Sequence, residues 1–429
     1  MSGGLRIVMA MVLGCWLWLA APAIVWAADV APTPLTISAL QTRIDQPVRR
    51  DGKLTIDLRD VVIDLRPENG DFGDRFYRLL QTTLQQGDTV FNLDLSHAVV
   101  KGEFDLQRLS LREPLYGDAF FPLLSEQEQS QLKRDRRRLF QLSQLSRSLL
   151  LQSQTMAARI YLFRGGLTMA QTRFEGPVIS ADIFFLESVA AQGAQFEQSV
   201  DFSDSRFSQS VTLVASQFQQ AARWRGCLFF DRLRLGQSTF QGPVTFQGSE
   251  FSQSAGFEQT RFQQAVNFSR VTFQKNVDFG QTLWQANGSF LNSIFGGDVF
   301  LTEARFEAPI SFRQSRLSQA MNLRGAMIGR QLDFGDMTFG PQTRINVAGL
   351  NFDTEQGGLL GSPGQIGRVL SVPSLEGNET LLRNLVRNFR RLEQVADANR
   401  IEYTTERLRL RSLQRQLTGL TLTTASRSR

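Results

Sequence analysis

Residues of the types that perform catalysis or bind metals are scarce in this sequence. The 429-residue chain contains two cysteines and one histidine. A Cys/His metal site or a histidine-based catalytic triad needs several such residues at one place. The sequence also lacks a glycine-rich phosphate loop ahead of a helix and a serine nucleophile elbow. We therefore predict no catalytic residue, no metal site and no cofactor.

The other candidates for chemistry are four aspartates and the single histidine. Asp201, Asp204, Asp278 and Asp298 fall on outward or corner positions of a repeat, where a solvated carboxylate is the expected state. His97 has the parity of an inward residue, yet it could equally occupy a corner. We favour a packed or corner imidazole over a catalytic one.

A basic run is the main candidate for a binding patch. It comprises Lys133, Arg134, Arg136, Arg137 and Arg138. The run lies within residues 113–150, where a capping-box pattern at 125–128 and spaced leucines predict a helical insertion. These side chains form either a docking patch for an anionic membrane surface or an acidic partner, or an ordinary solvated helix face, which we favour.

The charge balance argues against a nucleic-acid partner. The formal net charge of +6 is small for a chain of this size. Nucleic-acid binding usually shows a concentrated basic face with aromatic side chains that read the bases. Here the arginines gather in two predicted helical segments, and the aromatic residues are needed in the core. We do not expect this chain to bind nucleic acid.

The elements that must position all these residues follow from the spacing of large apolar side chains. From Phe196 to Phe295 such residues recur at alternating gaps of five and six, which fits neither a single helix nor a single strand. A solenoid of about 22 residues per coil fits, because each ring then returns to the same inward direction. The predicted core stack consists of Phe196, Phe207, Phe218, Phe229, Phe240, Phe251, Phe262, Phe273, Phe295 and Phe306.

The residue two positions before each ring indicates two kinds of wall. In one series it is small, as in Ser205, Ser238 and Thr260; in the other it is mostly aliphatic, as in Val200 and Val244. Strand alternation should point these residues inward too. The six-residue gaps contain Gly-Pro or Gly-Gly pairs, so we place the turn chemistry of the coil there.

These blocks resemble those of the pentapeptide-repeat family. Its unit has a central Leu or Phe with a small residue two before it, as in Ser205-Arg206-Phe207-Ser208-Gln209 and Ser249-Glu250-Phe251-Ser252-Gln253. The sequence is similar to the Phe-rich branch, where such blocks alternate with units like Gly242-Pro243-Val244-Thr245-Phe246. The resemblance implies a mainly β fold, a right-handed quadrilateral parallel β-helix. Some members of the family mimic DNA and protect topoisomerases.

The sequence divides into eight predicted parts. These are a signal peptide (1–27), an N-terminal cap (28–90), a first coil (91–112), the helical basic insertion (113–150), the main β-helix (151–352), a Gly/Pro linker (353–378), a helical hairpin (379–417) and a disordered tail (418–429). The hairpin is similar to a helical pair that follows the repeat in many bacterial members.

The N-terminus predicts export. An apolar run and the small-residue site Val25-Trp26-Ala27 indicate cleavage after Ala27, with an uncleaved membrane anchor as the alternative. Cleavage would leave Cys227 as the only cysteine. We expect an extracytoplasmic location: the periplasm, the lumen of a photosynthetic cell, or secretion.

Three functions remain open on the sequence. We favour a noncatalytic exported scaffold or protein-interaction rod with an unknown protein partner. A DNA-mimic protein is the first alternative, but it needs an acidic face and a cytoplasmic address. A β-helix polysaccharide-active enzyme is the second, although such enzymes usually have irregular coils with large loops, unlike this uniform repeat.

Overall fold

The computed structural model describes residues 32–85, 89–114 and 159–426. The predicted signal peptide and the basic run at 133–138 lie outside these residues. The described residues form a mainly β structure, a parallel β-solenoid of about ten turns with about 22 residues per coil, with helices towards both termini. The predicted fold class is confirmed.

The solenoid has four sides because each coil contributes one short strand to each of four sheets. Phe196 pairs with Phe218 in one sheet, and Val200 pairs with Ala222 in the next, both 22 residues apart. Among the described strands, two pairs are antiparallel: Val48–Arg50 with Lys53–Asp57, and Leu111–Pro114 with Arg159–Phe163. The other strand pairs are parallel.

We name the four sheets A to D. Sheet A contains Thr33–Pro34, Val61–Asp64, Val99–Lys101, Arg173–Phe174, Gln195–Phe196, Gln217–Phe218, Thr239–Phe240, Arg261–Phe262, Leu283–Trp284, Arg305–Phe306, Met327–Ile328 and Asn351–Phe352. Sheet B contains Val48–Arg50, Lys53–Asp57, Phe91–Asp94, Leu167–Thr168, Val189–Ala190, Val211–Thr212, Leu233–Arg234, Ala255–Gly256, Val277–Asp278, Val299–Phe300, Met321–Asn322, Ile345–Asn346 and Leu370–Ser371.

Sheets C and D complete the coil. Sheet C contains Phe104–Asp105, Val178–Ile179, Val200–Asp201, Ala222–Arg223, Val244–Thr245, Val266–Asn267, Gly288–Ser289, Ile310–Ser311, Gln331–Phe334 and Gly358–Gly361. Sheet D contains Leu111–Pro114, Arg159–Phe163, Ile183–Phe185, Arg206–Phe207, Leu228–Phe229, Glu250–Phe251, Thr272–Phe273, Ile294–Phe295, Arg316–Leu317 and Thr338–Phe339. Along each coil between Leu167 and Phe339 the chain visits sheets B, A, C and D in turn.

The tight corners lie in the five-residue gaps, between sheets B and A and between sheets C and D. At one of them Gly248 has a φ of 73°, and the Ser249 amide donates to the Phe246 carbonyl at 3.0 Å. Gln259 holds the same left-handed conformation with a φ of 60°, which is uncommon for a residue other than glycine. The prediction that turn chemistry belongs to the six-residue gaps is therefore wrong for the left-handed corner residues, which lie in the five-residue gaps. Gly242, in a six-residue gap, serves close approach instead, since a Cβ there would lie 2.3 Å from the carbonyl carbon of Gln220.

The N-terminal end of the solenoid is covered by two helices. Helix α1 spans Ile37–Asp45 and begins after Thr36, whose hydroxyl accepts from the Ala39 amide at 3.2 Å. Helix α2 spans Gly70–Gln85 and buries Phe76 and Leu80. Short 3-10 turns occupy Pro67–Asn69 and Gln107–Leu109.

The solenoid begins earlier than the predicted first coil at 91–112. Strand Lys53–Asp57 pairs with Phe91–Asp94, and Val61–Asp64 pairs with Val99–Lys101. Spacing alone missed this coil because helix α2 is inserted between it and the next. The part predicted only as a cap therefore also supplies stacked strands.

Residues 353–378 are not a linker. Gly358–Gly361 joins sheet C and Leu370–Ser371 joins sheet B, with the short helix α3, Ile366–Val369, between them. The glycines here permit close packing: a Cβ on Gly361 would lie 2.5 Å from the Ile366 Cβ. This stretch therefore forms part of the C-terminal end of the solenoid.

Two helices follow, as predicted, but the second is longer than expected. Helix α4 spans Glu379–Arg391 and helix α5 spans Val395–Ser426. The buried Asn388 side chain fixes α4 to sheet C, since it accepts from the Leu359 amide at 3.3 Å and donates to the Leu359 carbonyl at 2.7 Å. Most of the predicted disordered tail, 418–426, is helical; Gly419 lowers helix propensity without ending the helix. Residues 427–429 lie outside the description.

Candidate interaction surface

The ten rings of the predicted core stack lie inside the solenoid, each with at most 1% of its surface exposed. Sheet A and sheet D each contribute a column of them. In sheet A the ring centroids of Phe196 and Phe218 are 4.8 Å apart, and those of Phe218 and Phe240 are 4.5 Å apart, both nearly parallel. These residues build the rod and are not available to a partner, so any binding surface must consist of outward residues.

The small residues before the rings form hydrogen-bonded columns. The Ser238 hydroxyl donates to the Leu213 carbonyl at 2.7 Å and accepts from the Ser216 amide at 3.1 Å. Ser249 makes the equivalent bonds to Trp224 and Cys227. The sequence showed only that the residues at these positions are small. Many of them carry a hydroxyl because a tight corner leaves buried backbone groups that need hydrogen-bond partners.

Cys227 occupies one position of such a column. Its thiol is fully buried and lies 3.0 Å from the Phe202 carbonyl, in hydrogen-bonding position. Burial raises the pKa of the Cys227 thiol well above its ordinary value. The thiol therefore acts as a structural donor and not as a nucleophile.

The candidate catalytic residues do not converge. His97 lies at an exposed corner with a φ of 61°, and Asp204 lies at another with a φ of 58°. Asp201, Asp278 and Asp298 are partly exposed. Within residues 32–85, 89–114 and 159–426, no group of three or more His, Cys, Asp or Glu side chains is placed to hold a metal ion. Over the same residues, none of the helices has both the length and the apolar character needed to span a membrane.

A row of hydrogen-bonded side chains follows the corner between sheets B and A. The Gln237 amide donates to Gln259 at 3.1 Å, Gln259 to Gln281 at 2.8 Å, and Gln281 to the Glu303 carboxylate at 2.9 Å. We call residues 237, 259, 281 and 303 the glutamine row. All four side chains are exposed. The hydrogen bonds nevertheless hold the three amide groups and the carboxylate in fixed orientations. The signal in the sequence was glutamine recurring every 22 residues.

Sheet A beside the glutamine row carries both positive charge and apolar surface. Arg261 and Arg305 are exposed, Leu283 lies between them, and Met327 beyond them is 44% exposed. These residues line one groove together with the row. The groove therefore offers amide, guanidinium and apolar contacts at the strand spacing of about 4.8 Å.

A second groove follows sheet C. The residues that line it include the polar Thr245, Asn267, Ser289 and Ser311 together with Pro243 and Pro309. Asp333 at one end is the single carboxylate among the lining residues. Paired carboxylates, which hydrolysis of a glycosidic bond normally requires, are not brought together in this groove.

An ionic cluster near the N-terminal end supports the fold. Arg50 contacts both Asp57 and Asp94, and Arg59 donates to Asp57 at 3.0 Å. Burial acts to raise the pKa of Asp57, but the hydrogen bonds from Arg59 and the charges of Arg59 and Arg50 outweigh it and lower that pKa below its ordinary value. The cluster holds adjacent coils together and faces no groove described above.

Comparison with known proteins bears on the solenoid. Residues 235–283 match the family model described as Pentapeptide repeats (9 copies). The comparison with curated proteins gives no match, and neither does the comparison with solved structures. The matched residues lie wholly within the stacked coils, so this part of the chain is similar to pentapeptide repeats.

Proposed function

We propose that this chain is a noncatalytic, exported scaffold that binds a protein partner along the corner between sheets B and A. The observation that carries the proposal is the glutamine row, whose side chains repeat with the coil and are ordered by hydrogen bonds before any partner arrives. Preordered polar groups lose less conformational entropy on binding. A rigid coil thus presents a regular set of donors and acceptors.

The character of the groove argues against a DNA mimic, the kind of protein that binds DNA-binding enzymes in place of DNA. A DNA mimic must present carboxylates in place of phosphates, but the outward residues of sheet A next to the row include Arg261 and Arg305. Leu283 and the half-exposed Met327 add apolar contact area of the kind found at the centres of protein interfaces. The acidic Glu303 at the end of the row gives the surface both signs of charge.

Site-specific photo-crosslinking in the native cell tests this proposal. A photoreactive residue at Gln259 reports on the glutamine row, and one at the exposed Gln263, on the opposite corner of sheet A, serves as the matched control. We expect a discrete protein adduct from position 259 that is weak or missing from 263. Equal adduct patterns at both positions, or none at either, would contradict a face-specific scaffold.

Export and the lack of catalysis need separate measurements. N-terminal sequencing of the protein from the cell envelope should begin at Ala28; an intact cytoplasmic Met1 would revive the DNA-mimic alternative. Clear turnover in a screen of polysaccharide depolymerisation would overturn the noncatalytic assignment.

A further inference from the structure

The distal part of helix α5 extends well beyond its neighbour. Helix α4 has 13 residues and helix α5 has 32, so at 1.5 Å per residue they are about 20 and 48 Å long. The last α5 side chain buried in the core is Leu408, at 6% exposed. More than half of the helix, residues 409–426, therefore follows its last buried side chain among those described.

This distal part, residues 403–426, exposes an apolar seam, formed by Tyr403, Leu410 and Leu413, on the side away from the core. Ile401 and Leu408, seven residues apart, are 3% and 6% exposed. Tyr403, Leu410 and Leu413 are 58%, 61% and 49% exposed. At about 100° per residue, positions 403 and 410 lie roughly opposite positions 401 and 408. The sequence continues the same spacing with leucine at 417 and 420.

The seam is surrounded by positive charge. From residue 407 to the end of the chain the sequence contains six arginines and no acidic residue. Arg407, Arg409 and Arg411 are all exposed, and Arg409 pairs with Glu406 at 2.8 Å. Among the described side chains, Arg407 and Arg411 form no ion pair.

We propose that the distal part of α5, residues 403–426, docks on an anionic lipid surface. Leu410 and Leu413 enter the boundary between headgroups and acyl chains, while the arginines contact lipid phosphates, as in other basic amphipathic helices. A second copy of the chain is the less favourable occupant, because pairing two such helices brings their flanking arginines together. This docking uses neither the glutamine row nor the basic run at 133–138, so it does not depend on the proposed function.

Vesicle flotation tests the proposal with the full chain, so that its N-terminal apolar run is the same in every arm. We compare vesicles of phosphatidylcholine alone with vesicles that also contain phosphatidylglycerol, at low and high salt. The chain should partition at least about 100-fold more strongly onto the anionic vesicles at low salt, and high salt should abolish most of that preference.

Three variants separate the contributions. Replacing Arg407, Arg409 and Arg411 with Gln should lower the anionic preference by about 100-fold, since each lost charge near the surface weakens binding several-fold. Leu410→Ser with Leu413→Ser should lower partitioning onto anionic vesicles by about 10-fold. The matched control replaces three exposed solenoid arginines, Arg223, Arg232 and Arg234, with Gln. This control removes the same charge and should change partitioning by less than about 2-fold.

Several results would overturn the proposal. One is equal partitioning of the full chain onto neutral and anionic vesicles. Another is an equal loss of binding in the control and in the α5 arginine variant, which would indicate attraction by overall charge. A dimer in sedimentation that depends on Leu410 and Leu413, without vesicle binding, would assign the seam to a second copy.

Discussion

Replacing Phe262 with alanine should remove one ring from a continuous column. Phe262 is fully buried between Phe240, with ring centroids 5.5 Å apart, and Trp284, at 4.6 Å. A buried Phe→Ala change costs about 3–5 kcal/mol from lost transfer energy and the cavity. Two aromatic neighbours add about 0.5–1.5 kcal/mol each, so we expect a value near the upper end of that range. Backbone pairing on both sides limits collapse of the cavity.

Denaturant unfolding followed by circular dichroism measures this cost, and Gln263→Ala is the matched control. Gln263 is exposed at the next position, so its substitution should change the free energy of unfolding by no more than about 0.5 kcal/mol. Because a solenoid can unfold coil by coil, hydrogen exchange should also show the largest loss of protection in the coils next to Phe262. Equal midpoints for the two variants, or uniform loss of protection, would contradict the inward position of Phe262 in the stack.

Three further predictions concern polar groups of the fold. Ser238→Ala should lower the free energy of unfolding by about 1–3 kcal/mol in denaturant, because it leaves the Leu213 carbonyl and the Ser216 amide with poorer partners. Ser238→Cys should cost less, because Cys227 already fills an equivalent site. Peptide mapping after iodoacetamide treatment at pH 8 should find Cys227 unmodified in the native protein and modified after denaturation; rapid native labelling would contradict its burial and raised pKa. The lowered pKa of Asp57 stabilises the fold above the ordinary aspartate pKa of about 3.9, and this contribution is lost as the pH falls through the lower folded-state value. Asp57→Asn should therefore be less stable than the parent at pH 6, and the difference in the free energy of unfolding should narrow towards pH 3. A difference that stays constant with pH would argue against that linkage.

The core was predictable from the sequence because a solenoid repeats its packing problem in every coil. Phe240, Phe251 and Phe262 each meet the same neighbours one coil away, so the spacing records their shared environment many times. Outward residues repeat over fewer coils, as in the glutamine row. Gln237, Gln259 and Gln281 form a row only because their corners stack, and no rule of local structure requires glutamine there.

Sequence reasoning failed where glycine has more than one use. Gly358 and Gly361 suggested a linker, but they permit close contacts with Asn388 and Ile366. A local pattern cannot distinguish these two roles, since the contacting residue lies elsewhere in the chain or on a following element. The early coil at 53–64 was missed for a related reason, because helix α2 separates it from the strands on which it stacks.

Paired deletions test whether an inward ring every half-coil builds a uniform stack with 22 residues per turn. Deleting residues 227–248 removes one full coil and joins Gly226 to Ser249. The new Gly–Ser junction matches that of Gly248 and Ser249 in the intact corner, because Gly226 and Gly248 have similar φ values of 66° and 73°. Deleting the shorter stretch 230–248 joins Phe229 to Ser249 and moves all later rings three residues away from their positions in the coil.

Circular dichroism and thermal unfolding of the two deletion variants give the decisive result. We expect the variant that lacks one full coil to retain the parent's spectrum and cooperative unfolding, and the variant with the shorter deletion to lose both. Equal behaviour of the two variants, whether both fold or both fail, would contradict a coil of 22 residues.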